Sequence, residues 1–198
     1  MNSLILFPVG IGNPDLTVAL PSYNVHLLNT CHTFIVEELR TARRFLKQAG
    51  YEHSIDSTTF LILNEHTQNM EIISYLDSIA DGNIGLLSEA GLPCIADPGA
   101  KIVRMAQEKN INVIPLVGPS SLMMALMASG FNGQNFSFLG YLPIDKNERL
   151  KTIRKLEERS QKENQTQIFI EAPYRNNQML EALITTCKDN TMICVACD

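Results

Sequence analysis

The chain has 198 residues, 45% of them hydrophobic and 19% charged, with no tryptophan, the composition of a globular protein with a substantial core. Its 16 basic and 21 acidic side chains give a net charge of −5, which excludes a protein that grips nucleic acid by overall charge and leaves only a local basic face open. No apolar run is long enough to cross a bilayer, and the opening MNSLILFPVG lacks a basic region ahead of its apolar run, so it reads as a first strand and not as a signal peptide.

In chain order, residues 3–9 (SLILFPV) form that strand, and residues 8–15 (PVGIGNPD) the turn after it. The turn matches a dinucleotide fingerprint only in part. The third glycine is absent, and Pro14-Asp15 stands where a phosphate-binding helix would begin. Residues 19–30 read as helix broken around Pro21, and 33–36 as a strand ending in Glu37-Glu38-Leu39-Arg40-Thr41. The next helix, 41–49, carries Arg43, Arg44 and Lys47 behind Arg40 and closes at Gly50. Carboxylates at a strand end with an arginine behind them serve acid–base or substrate-orienting chemistry, or simply a helix start near the positive end of its dipole. Residues 58–63 (TTFLIL) are a strand. Thr67 is then expected to cap a helix with an apolar stripe of Met70, Ile73, Leu76 and Ile79, ending at Gly82.

The most information-dense stretch follows the apolar strand 84–87. Residues 88–99, SEAGLPCIADPG, combine two glycines, two prolines and the carboxylates Glu89 and Asp97 before a helix around residues 101–106. Open α/β sheets bind ligands at such carboxyl ends of strands. Gly91 and Gly99 permit close approach or positive φ, and Pro93 and Pro98 stiffen the turn. Gly91→Val is expected to fill the space left for a ligand while leaving the fold intact.

Residues 111–117 are a further strand, and Gly118-Pro119-Ser120-Ser121 is a third glycine turn directly after a strand. It opens a helix over 122–129 whose Met123, Met124 and Met127 read as core filler. After a strand at 136–139, residues 145–163 hold seven basic and five acidic side chains around a thin stripe of Leu150, Ile153 and Leu156, the pattern of an exposed helix. Residues 166–170 are a strand, 177–186 a helix, and 192–197 (MICVAC) a closing buried strand. The five cysteines, Cys31, Cys94, Cys187, Cys194 and Cys197, are an odd number, expected as free thiols in a cytoplasmic protein. Cys194 and Cys197 have C-x-x-C spacing but no second pair to complete a zinc site, so no metal is expected. Alternating strands and helices imply an α/β protein with a parallel sheet covered on both faces. The natural boundary lies near Pro115–Gly118, dividing the chain into α/β domains at 1–116 and 117–198.

Several motifs in order go further: SEAGLPCIADPG, PLVGPSS followed by Ser129-Gly130-Phe131, FSFLGYLP, Arg149 and FIEAPYR. They resemble the tetrapyrrole methylase superfamily of S-adenosylmethionine methyltransferases over nearly the whole chain. Within it they are most similar to the branch that methylates a ribose 2′-hydroxyl of small-subunit ribosomal RNA. The departures are PVGIGNPD for TPIGNLxD, Glu38-Leu39-Arg40 for Asp-Thr-Arg, Glu89, Leu92 and Ala96 for Asp, Thr and Ser, and Tyr174 for His. Most spare the glycines and fall on polar positions that would orient a substrate.

The resemblance implies two α/β domains with S-adenosylmethionine folded into a cleft between them, and a homodimer. The cofactor would meet Pro8, Ser88, Glu89, Ala90, Gly91, Pro93, Ile95, Ser120, Ser121, Ile170 at the end of the Phe169-Ile170-Glu171 strand, and Ala196. A ribose hydroxyl needs its proton accepted, for which Glu38 or Glu171 are the candidates, with Arg40 or Arg175 holding a phosphate. Two other readings remain open: a methyltransferase of a small tetrapyrrole-like molecule, and a diverged cofactor-binding paralogue with little activity. Because the resemblance implies strands beyond residue 197, the second domain is expected to be truncated.

Overall fold

Alternation along the first strand sets the architecture. A computed structural model describes residues 2–13 and 15–197. Successive strand side chains point to opposite faces, so β1 (Ser3–Phe7) sends Ile5 and Phe7 into one apolar cluster and Leu4 and Leu6 into another. The first cluster is closed by α1 (Ser22–Leu28), through Leu28, and by α2 (Leu39–Gln48), through Ala42, Phe45 and Leu46. The second is closed by α3 (Asn69–Asp77) and α4 (Gly99–Glu108), through Ile72, Leu76, Ile102 and Ala106. Between them lie β2 (Cys31–Val36), β3 (Thr59–Ile62), β4 (Asn83–Leu87) and β5 (Asn112–Pro115). With β1 they form one parallel sheet in the order β3-β2-β4-β1-β5, with Leu4 opposite both Ile84 and Val113. The α/β reading with helices on both faces is the fold observed.

Residues up to Ser121 make up this first unit, and Leu122–Cys197 form a second. After α5 (Ser121–Ser129), the second unit has a parallel pair, β6 (Phe136–Tyr141) and β7 (Thr166–Ile170), joined through α6 (Lys146–Glu163) and followed by α7 (Asn176–Thr186). Its core is small: Leu142, Ile153, Met179, Ala182 and Leu183.

Four expectations are corrected. Thr67 does not cap α3: its hydroxyl accepts the Asn64 N–H at 2.9 Å, and the cap is a reciprocal box between Gln68 and Glu71. The stripe of that helix is Ile72 and Leu76, while Met70 is 79% exposed, because the i, i+4 pair faces the sheet and Met70 lies on the other side of the helix. Met123, Met124 and Met127 are exposed, and Leu126 alone of α5 is buried. Finally, 192–197 is not a strand; all six residues are exposed coil. A strand needs a neighbour for its N–H and C=O groups, and among the described residues none pairs with this run.

Candidate active site

Parallel strands bring all their carboxyl ends to one edge of the sheet, where open α/β folds bind ligands. Because β4, β1 and β5 are adjacent, the turns after them meet. The Val9 N–H and the Ser88 hydroxyl both donate to the Gly91 carbonyl, at 2.9 and 3.0 Å. Gly118 lies so close to the first turn that a Cβ there would come within 2.1 Å of Pro8 Cβ. Gly91 has φ +68°, and its Cβ would sit 3.2 Å from the Pro119 carbonyl oxygen. The three glycine turns are thus packed on one another, which corrects the expectation for Gly91→Val. The space beside Gly91 is filled by the chain itself, and a branched residue would be strained there at positive φ.

Of the expected cofactor residues in this unit, Pro8, Ser88, Gly91 and Pro93 are buried in the interlocked turns. Glu89, Ala90, Ile95 and Ser121 are exposed at the edge, with Ser120 half-buried between. Ile170 and Ala196 belong to the second unit. Ile170 is half-buried at the end of β7, and Ala196 is exposed within the 192–197 coil.

The same β4 turn also reaches toward β2 and β3. There a cavity of about 460 Å³ is lined by Glu37, Asn64, Glu65, Ala96, Asp97 and Pro98. The Asp97 carboxylate accepts the Cys94 N–H at 2.9 and 2.8 Å and the Gly99 N–H at 2.7 Å, pinning the turn, while burial raises its pKa. Glu37 has the Glu89 backbone N–H nearby, a neighbour that acts to lower its pKa. Burial first, then the charges of Asp97 and Glu89, push its pKa up to about 7. Its neighbour Glu38 is the opposite case. Its two oxygens accept the Arg40 and Thr41 N–H groups at 2.9 and 2.8 Å, capping α2. Those bonds hold its pKa below the usual carboxylate value. The Thr41 hydroxyl, 2.8 Å from both Glu89 carboxylate oxygens, ties the start of α2 to the β4 turn.

Of this adjacent pair, Glu38, the residue expected as a base, is the cap of α2, and Glu37 is the one that lines the cavity. The available signal was position. Glu37 is the first residue after β2, where a side chain meets the carboxyl edge, and Glu38 directly precedes the first helical residue, where a carboxylate caps.

Arg40 is exposed at the start of α2, followed by exposed Arg43, Arg44 and Lys47. Arg43 lies over the Phe60 ring at 5.6 Å. Among the described residues none of these four cations is in a salt bridge.

In the second unit, Glu171 and Arg175 pair at 3.2 Å with side chains 7% and 8% exposed. Arg175 also donates to the Leu142 and Pro143 carbonyls, both at 3.2 Å, and Arg149 donates to the Pro143 and Ile144 carbonyls at 3.4 and 2.9 Å. Two buried guanidinium groups therefore hold the Leu142–Ile144 segment, with Glu171 as counter-charge. Among the described residues no group of His, Cys, Asp or Glu is arranged to hold a metal ion, and no helix is long and apolar enough to cross a membrane.

Residues 3–198 match the family Tetrapyrrole (Corrin/Porphyrin) Methylases. The chain belongs to that family. It is 37% identical over 184 residues to the ribosomal RNA small subunit methyltransferase I of Leptospira borgpetersenii, covering 91% of this chain and 67% of that protein. It is 34% identical to the Bacillus subtilis protein of the same name, covering 92% of this chain and 59% of the relative. The chain thus spans about three-fifths to two-thirds of the length of these relatives. Among solved structures, the methyltransferase CobJ superimposes with a TM-score of 0.59 over 95% of this chain and 77% of that one, at 13% identity, a likeness of fold.

Proposed function

We propose that this protein is an S-adenosylmethionine-dependent methyltransferase acting on a ribose 2′-hydroxyl of small-subunit ribosomal RNA. The observation that carries the RNA reading is α2. A chain of net charge −5 nevertheless exposes Arg40, Arg43, Arg44 and Lys47 on one helix, free of salt bridges among the described residues, starting beside the carboxyl-edge turns. Such a local basic face is what phosphate contacts require. The names of the relatives support the same substrate.

The residues present fit the cofactor chemically. S-adenosylmethionine is a sulfonium cation with a ribose diol and an amino-acid end. The edge offers the carboxylates Glu89 and Asp97 against the positive charge, and the hydroxyls of Ser120 and Ser121 at the start of α5. Pro8, Ser88, Glu89, Ala90, Gly91, Pro93, Ile95, Ser120 and Ser121 would hold it from the first unit. When bound it supplies an electrophilic methyl group. The protein's own task is then to align a hydroxyl with that methyl and to take up the hydroxyl proton. Glu171, paired with Arg175, serves the Leu142–Ile144 segment in this reading, and Arg40 contacts phosphate. The homodimer is supported by the exposed Met124 and Met127 of α5, and a cytoplasmic setting by five free cysteines.

The acidic cavity favours one alternative. A volume of about 460 Å³ suits a small molecule. Incubation with isotopically labelled S-adenosylmethionine and small ribosomal subunits separates the two. The RNA reading expects label in a 2′-O-methylated nucleoside after nuclease digestion. Label on no nucleoside, with transfer to a tetrapyrrole-like acceptor, overturns it in favour of the small molecule.

A further inference from the structure

We propose that Glu37 is the catalytic residue that accepts the proton of the attacking hydroxyl, and that the β4 turn spanning Ser88–Gly99 joins its cavity to the cofactor turns. This rests on the methyltransferase reading above.

The geometry supports it from several sides. One end of the turn, at Ser88 and Gly91, is braced internally by the Ser88 hydroxyl and locked to the β1 and β5 turns by the bond from Val9 and the close approach to Pro119. The other end, Ala96–Pro98, forms one wall of the cavity that holds Glu37. Glu89, beside the locked end, has its backbone N–H near Glu37, and its carboxylate accepts the Thr41 hydroxyl. The cavity wall and part of the glycine cluster thus belong to one turn, Ser88–Gly99.

The other carboxylates at this edge are committed. Glu38 spends both oxygens on the α2 cap, Glu89 faces Thr41, and Asp97 accepts three backbone bonds to Cys94 and Gly99. Glu171 is buried against Arg175. Glu65 also lines the cavity, on the segment between β3 and α3, but it follows a different strand from Glu37. The charged groups facing Glu37 are Asp97 and Glu89 from the β4 turn and Glu65 from the β3 side. All are acidic, and with burial they make the carboxylate a stronger base than an exposed one. Its pKa near 7 is where proton acceptance is most efficient at neutral pH.

In the step, the ribose oxygen forms the new O–CH3 bond as the methyl–sulfur bond of the sulfonium breaks. The electron pair of that bond stays on sulfur, which leaves as a neutral thioether. The hydroxyl proton passes to a Glu37 carboxylate oxygen.

The test is Glu37→Gln, with three readouts: methyl transfer to ribosomal RNA as a function of pH, cofactor affinity by calorimetry, and melting temperature of the cofactor-free protein as a function of pH. The expected result is a loss of roughly 10²-fold or more in kcat, disappearance of the limb of the rate profile near pH 7, and affinity within about twofold of wild type. The third readout has a fixed sign. A carboxyl whose pKa is raised by folding stabilises the protein fully below its unfolded value and loses that contribution as pH rises through the folded value. Wild type should therefore lose melting temperature relative to Glu37→Gln between about pH 5 and pH 8. A variant that keeps its rate, or that is slow but keeps the limb, overturns the assignment, as does a melting difference that does not change with pH. A wild-type protein that transfers no methyl group to RNA overturns the functional reading and this assignment with it. That failure is seen in the wild type, whereas failure of the assignment alone is seen only in the variant.

Discussion

At the scale of single residues, environment separates groups that the sequence presents as equivalents. Glu37 and Glu38 are adjacent and chemically identical, yet one is pushed toward neutral pH by burial and like charges and the other held low by two backbone N–H groups. The cysteines divide in the same way. Burial pushes Cys31 and Cys94 up to about 12, and it also raises Cys187, whereas Cys194 and Cys197 are exposed. Since the thiolate is the reactive form, a chromogenic disulfide reagent should modify Cys194 and Cys197 rapidly in the native protein and Cys31 and Cys94 only on unfolding. Absorbance counted with and without denaturant checks this, and a fast native reaction at Cys94 would mean that the β4 turn opens.

At the scale of elements, one helix and one buried clamp make distinct claims. If α2 is the RNA-facing element, Arg40→Glu, Arg43→Glu and Arg44→Glu together should weaken RNA binding. They should also lower the slope of log affinity against log salt by about 2–3, since each phosphate contact contributes about 0.9. Filter binding across a salt series reads this, and an unchanged slope removes α2 from the interface. In the second unit, Arg175→Met removes the partner of a carboxylate whose side chain is 7% exposed. Leaving such a charge unpaired costs about 3–5 kcal/mol, so denaturant titration should show a large loss of stability. Adding Glu171→Gln should recover part of it, because the two changes act on one interaction. Additive losses would show that the pair is not coupled.

At the scale of the whole molecule, the first unit closes both faces of its sheet with its own helices, α1 and α2 on one side, α3 and α4 on the other. Residues 1–121 expressed alone should therefore unfold in a single cooperative transition by circular dichroism. A broad, non-cooperative melt would show that this core is incomplete. Among the described residues, the second unit's core cluster holds five buried residues beside a two-stranded sheet, and pairs of strands are marginal without further packing.

The first unit was legible in the sequence because its signals are local and repeat. SLILF, TFLI and NIGLL alternate or run apolar, each ends in a glycine- or carboxylate-bearing turn, and parallel pairing then brings those turns to one edge. The Pro8, Gly91 and Gly118 turns are thus marked in the sequence itself. What the tertiary structure decided is everything that depends on a partner. MICVAC has the composition of a strand but no described neighbour to receive its hydrogen bonds, and it is coil. Ile72 faces the sheet and Met70 does not, since the helix's rotation is fixed by what it packs against. Arg149 and Glu157 lie within a highly charged stretch and are nonetheless buried, because the carbonyls at 143–144 and the Lys188 N–H are there to receive them. Composition sets which faces are apolar, and only packing against a specific neighbour sets which polar group is withdrawn from water. That withdrawal is what turns Glu37 from one of 21 acidic side chains into the candidate base.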